Sequence, residues 1–275
     1  MVRSSRRIDH LVLAVHDLAA AASWYERLGF QVGARNRHPW GTENHVIQFG
    51  SSFLELITVA DPDLIPAHAP GQFSFGAFVR DYLAEREGLA MFVLDSADAE
   101  ADAVAYARAG IGDFRPFTFE RTGRTADGTE THVAFSLAFA VDDLVPEAAF
   151  FTCQQHYPEA FWSSALQRHP NGATNVSSVS LAVERPAEHV DFLRTFTGVP
   201  AEHDGRLFLL AADGALRVEA STTTGFRGFT VAVDDLENTS AQLTAHQVPF
   251  LRHPDRISIS PDDGFGTLIE FAQVR

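Results

Sequence analysis

The chain has 275 residues, a formal net charge of −15, 45% hydrophobic and 21% charged residues, a globular composition with length enough for two ordinary domains. So acidic a chain offers no basic stripe for phosphates, so nucleic acid and anionic membrane surfaces are not expected as partners. A single cysteine, Cys153, excludes an intramolecular disulfide framework and a cysteine-rich zinc site.

Arg6-Arg7 precede an apolar stretch, but Asp9, His10, His16 and Asp17 interrupt it, so no secretion signal forms. No stretch has transmembrane length, and a cytoplasmic protein is expected. The segment IDHLVLAV (8–15) reads as a strand. A helix follows with Leu18, Ala21, Ala22, Tyr25 and Leu28 at helical spacing, opened by Asp17 and stopped by Gly29. FQVGAR, HVIQFG and FLELITV then read as three strands, so the order is β-α-β-β-β. Residues 61–87 form an insertion whose AFVRDYLAERE portion predicts a short helix.

The order recurs, and internal repeats dictate the fold. Residues 88–157 give GLAMFVLD, an Ala-rich helix ending near Gly110, then FRPFTFER, HVAFSLAFAV and AAFFTCQ. FAVDDL at 139–144 imitates a strand-to-helix junction, but Phe150 begins another strand too soon for a helix to fit. The Pro- and Gly-containing stretch before Asn175 is the expected boundary. Residues 176–220 give VSSVSLAV, a helix opened by Pro186 and stopped by Gly198, then two strands. Residues 226–275 give FRGFTVAV, a helix from Leu236, then FLRH, RISIS and TLIEFAQV. The prediction is an α+β chain of four tandem βαβββ modules, paired into two domains at 1–160 and 174–275.

Glu55 carries the sharpest physical signal. Alternation along FLELITV places Phe53, Glu55 and Ile57 on one face. A carboxylate among apolar groups costs several kcal/mol unless it is paired, protonated or metal-bound. Arg35 or Arg37 is the ordinary partner to expect. Glu270 has the same character in the last module. Thr152, Gln154 and His156 share one face of their strand, with Phe151 and Cys153 on the other. His169-Pro170-Asn171-Gly172 reads as a turn with Gly172 at positive φ, and Cys153 as an inert buried thiol. The 23 phenylalanines exceed what a core demands, and some are expected to line an apolar cavity.

Tandem βαβββ modules resemble the vicinal-oxygen-chelate superfamily. IDHLVLAVHDL…WYERLGF resembles the first module of its glyoxalase-like and extradiol-dioxygenase proteins. GTENHVIQFGSSFLELI and FFTCQQHYPEAFW…HPNGA resemble the glyoxalase-like branch. The resemblance implies curled, cup-like sheets with metal ligands on the first and last strands of each module. It implies His10 as a ligand with Glu55 around Fe, Mn, Ni or Zn; on the last strand of the second module Gln154 or His156 is the candidate to complete the shell, and without either the expectation is a cup with no catalytic metal. The family pattern fails elsewhere. Met91, Ser178 and Gly228 stand where the other modules would offer ligands, so the second half is expected to be degenerate. Two functions follow as expectations. One is a metal-dependent lyase, isomerase or dioxygenase, with His10 and Glu55 catalytic, acting on a small molecule with vicinal oxygens. The other is a metal-free protein that sequesters a small molecule, such as an antibiotic. Either is expected as a monomer or homodimer.

Overall fold

The computed structural model describes residues 5–124 and 130–273. The first half begins with β1 (Ile8–Ala14), α1 (Leu18–Arg27), β2 (Asn36–Arg37), β3 (Thr42–Gln48) and β4 (Phe53–Val59). Asp17 caps α1 by accepting the Ala20 N–H at 2.9 Å, and Gly29 leaves it at φ 88°, satisfying groups that a helix end exposes. The insertion supplies α2 (Phe75–Glu85). The second module follows as β5 (Gly88–Asp95), α3 (Ala99–Ala109), β6 (Phe117–Arg124), β7 (Glu130–Ala140) and β8 (Ala149–Gln155).

A one-turn α4 (Pro158–Phe161) leads to the second half. It contains β9 (Ala173–Val183), α5 (Val190–Thr197), β10 (Leu207–Leu209) and β11 (Ala215–Ala220). The last module is β12 (Gly225–Val233), α6 (Leu236–Ala245), β13 (Leu251–Arg252), β14 (Arg256–Ile259) and β15 (Leu268–Gln273). Two curled sheets result, of the kind expected for two glyoxalase-fold units. The first has the order β2-β3-β4-β1-β5-β8-β7-β6, the second β10-β11-β9-β12-β15-β14-β13. Each centres on the first and last strands of its modules. In the first sheet β1 runs parallel to β4 and antiparallel to β5, and β5 runs parallel to β8.

Two local expectations are refined. FQVGAR is not a ladder strand, and β2 starts only at Asn36. Gly33 instead donates to the Val46 carbonyl at 2.9 Å, while its own carbonyl is taken by His45 Nδ1 at 2.8 Å. FAVDDL forms no helix: β7 ends at Ala140, and Asp142 turns to pair with His189 of the other half at 2.6 Å. Among the described residues no helix is long and apolar enough to cross a membrane.

Alternation sorts the first sheet into two apolar faces. The outer face, with Leu11, Leu13, Leu54, Phe92 and Phe150, packs in one continuous core with α1, α3 and the second half. Phe150 meets Phe192 at 5.0 Å, Phe226 at 5.3 Å and Phe196 at 5.4 Å. The HPNG turn rivets the halves. Asn171 is fully buried, donates to the Leu28 carbonyl at 2.9 Å and accepts the Ala173 N–H at 3.0 Å, with Gly172 at φ 78°. The inner face, with Val12, Ile57, Met91, Val93 and Phe151, forms a second cluster with Phe75, Val79 and Tyr82 of α2. The insertion helix thus fills one end of the cup.

Candidate functional site

What remains of the cup is a cavity with about 550 Å³ of empty space, including its mouth. Seven phenylalanines line it, among them Phe53, Phe119, Phe135 and Phe151, which accounts for part of the phenylalanine excess. Its polar groups are His10, His38, Asn44, Glu55, Arg121 and Cys153. His10 and Glu55, far apart in the chain, therefore face one space. Their strands are neighbours, with His10 opposite Phe53 and Val12 opposite Glu55.

His10 is held on three sides. Its ring stacks on Phe53 at 4.2 Å between centroids and meets the edge of Phe151 at 5.5 Å. Its Nδ1 donates to Asp9 Oδ1 at 2.7 Å, and Asp9 Oδ2 accepts from Gln155 at 2.8 Å. A carboxylate on one ring nitrogen fixes the tautomer and leaves the other nitrogen with a lone pair. That atom, Nε2, has no hydrogen bond among the described residues. Strict alternation would turn Asp9 away from His10. A register shift between Ile8 and His10 brings both to the same carboxylate–imidazole contact.

Glu55 is 7% exposed and accepts from Asn44 Nδ2 at 2.5 Å through Oε1. Its Oε2 makes no hydrogen bond among the described residues. Arg35 and Arg37 are not its partners. Both bind Glu43, whose side chain alternates to the opposite face of β3 from Asn44. Asn44 is the hub of a relay: its oxygen accepts from Asn36 at 3.0 Å, and the Asn36 oxygen accepts from Arg121. Asn44 also donates weakly to His38 Nε2 at 3.4 Å, so His38 Nδ1 carries the proton and donates to Thr42 at 2.8 Å. Burial pulls the His38 pKa down and outweighs the raising effect of Glu55, so this imidazole is neutral at pH 7.

The other predicted ligands go elsewhere. Phe151 and Cys153 face the cup, so Gln154 and His156 do not. Gln154 accepts the Ala99 N–H of α3 at 3.1 Å, and the exposed His156 bonds Ser136 at 2.8 Å. Neither completes a shell with His10 and Glu55. Alternation grouped these residues correctly, but it does not say which face turns inward. The inward positions on the two remaining floor strands belong to Met91 and Phe151. Three donor side chains that do converge within 4.8 Å are Asp9, His10 and Cys153. There Asp9 already serves His10 and Gln155, and burial pushes the Cys153 thiol well up. This trio is therefore a hydrogen-bonded cradle for the imidazole.

The second cup differs. Gly228 takes the position of His10, and a Cβ there would lie 2.1 Å from the Leu268 carbonyl oxygen. Glu270 is paired with Arg256 at 2.8 Å and accepts from Thr230 at 3.3 Å.

The glyoxalase-like domain family model matches residues 8–197, more than half of the chain. The chain belongs to the glyoxalase-like domain family. No curated protein matches it. Similar solved structures include a hypothetical protein from Staphylococcus aureus, at TM-score 0.73 and 14% identity, covering 98% of this chain and 100% of that one. A mutant of 4-hydroxymandelate synthase from Streptomyces coelicolor aligns at TM-score 0.58 and 14% identity, covering 98% and 93%. Homoprotocatechuate 2,3-dioxygenase from Arthrobacter globiformis aligns at 0.57 and 16%, covering 99% and 81%. At such identities these likenesses establish the fold alone. The glyoxalase-like fold itself is thereby secure, in both sheets.

Proposed function

We propose that the first cup is the active site of an enzyme acting on a small, largely apolar molecule with two adjacent oxygens. The observation that carries this reading is the pair of unengaged donor atoms, His10 Nε2 and Glu55 Oε2, in one aromatic cavity. A lone-pair nitrogen and a carboxylate oxygen are donors that would hold a divalent ion such as Fe, Mn, Ni or Zn, with Met91 and Phe151 adding no hard ligand. Bound there, such an ion supplies Lewis acidity to oxyanion formation on the substrate. The chain's own residues do the rest. Asp9 orients the His10 ring, Asn44 orients Glu55, and the phenylalanines exclude water and strengthen every charge interaction inside.

The same apolar residues favour a second reading, a metal-free binding protein, because two of four floor strands offer no hard donor. Metal analysis of protein purified without chelator separates the two. The enzyme reading expects a stoichiometric ion that is lost in His10→Ala and in Glu55→Ala. Metal-free wild type transfers the conclusion to the binding protein.

A further inference from the structure

Arg121 stands on β6, the last strand of the first sheet, and reaches across the cup mouth to Asn36 on the first strand of the order. It lines the cavity. Its only hydrogen bond among the described residues goes to a neutral amide, and no carboxylate comes within 4.0 Å of it. A guanidinium carries five N–H donors, so most of its fork is unused. Burial pulls its pKa down and the charge of Glu55 only partly offsets this. Trp40, 9% exposed, lines the same cavity and walls it with its ring. His38, stacked on Trp40 at 4.6 Å, is neutral and supplies no competing charge.

A partly desolvated cation with free donors calls for an anion rich in acceptors. We propose that Arg121 anchors the carboxylate of the ligand, and that the ligand class is small aromatic acids whose ring lies among Phe53, Phe119 and Phe135. This rests on the first cup being a small-molecule site. The fork geometry of arginine suits a planar carboxylate in a way a point charge does not.

Phenylacetate and phenylacetamide are matched probes, equal in shape and different in charge. Their binding to the full chain is followed by quenching of tryptophan fluorescence and by saturation-transfer NMR. Wild type is expected to bind the acid about tenfold tighter than the amide, as a charge-assisted contact implies. Arg121→Gln is expected to bring the two affinities together through a loss confined mainly to the acid, and continued amide binding also shows an intact cavity. The wild-type ratio requires no variant and stands even if Arg121→Gln fails to fold. Equal binding of acid and amide by wild type, or an acid preference surviving in Arg121→Gln, overturns the anchor and leaves the cup a binding site. Failure of both probes to bind at millimolar concentration overturns the anchor and the small-molecule reading together.

Discussion

Truncating Phe150 to alanine tests whether the two halves unfold as one. The ring is fully buried on the outer face of the first sheet and meets three aromatic rings of the second half, at 5.0 to 5.4 Å. Phe-to-Ala changes in cores cost about 3–5 kcal/mol. Rings held by β12 and α5 cannot collapse far into the void, so the upper part of that range is expected. With a urea dependence of about 3 kcal/mol per molar, the midpoint drops by roughly 1–1.7 M. Trp24, Trp40 and Trp162 are the three tryptophans of the chain and all precede β9, so fluorescence follows the first half while far-UV circular dichroism follows both. Coincident curves that move together in Phe150→Ala are expected. Separate transitions, with the variant shifting only one, would refute a continuous core.

Three further outcomes are expected. His169 uses both ring nitrogens, accepting the Gln31 N–H at 2.9 Å and donating to the Gln48 carbonyl at 2.8 Å. Burial lowers its pKa despite the carbonyl, so the unfolded chain takes up a proton first and stability falls as pH drops through about 6.5; melting temperatures should show a shallower slope in His169→Gln. Burial alone would raise the Asp102 pKa, but Arg6, Ser96 and Thr152 bond the carboxylate and hold it low. Its contribution is present above about pH 4 and lost as pH falls further, and Asp102→Asn, which leaves the Arg6 cation facing an amide and the Asp95 carbonyl, should cost about 3 kcal/mol at neutral pH and flatten the acid limb of a denaturation series. Gly228→Ala drives a methyl into the Leu268 carbonyl and should cost about 3 kcal/mol or more in urea titrations; a neutral result would mean that β12 and β15 separate easily.

The modules were legible because strand and helix periods are local. GLAMFVLD coincides with β5, and the Ala-rich helix stops at Gly110 in the left-handed conformation. Glu55 was legible as a carboxylate alternating with apolar residues on its strand, and His10 through the resemblance of its strand to the first glyoxalase-like module. Asn44, His38 and Arg121 were not, because what unites them is the curl that brings the two ends of the sheet together. Neither period nor spacing encodes that approach. Gln154 and His156 were misplaced because alternation leaves the choice of inward face to the packing of α3.

Among the described residues the two ends of the first sheet meet through side chains, with Arg121 on Asn36 and Trp40 against Phe117 and Phe119 at 5.0 and 4.9 Å. No backbone ladder joins β2 to β6. The seam is a zipper of rotamers, and unfastening it breaks none of the strand pairing that keeps the barrel wall intact. Re-seating those few rings would therefore change the girth of the cup and leave the packing at its floor undisturbed.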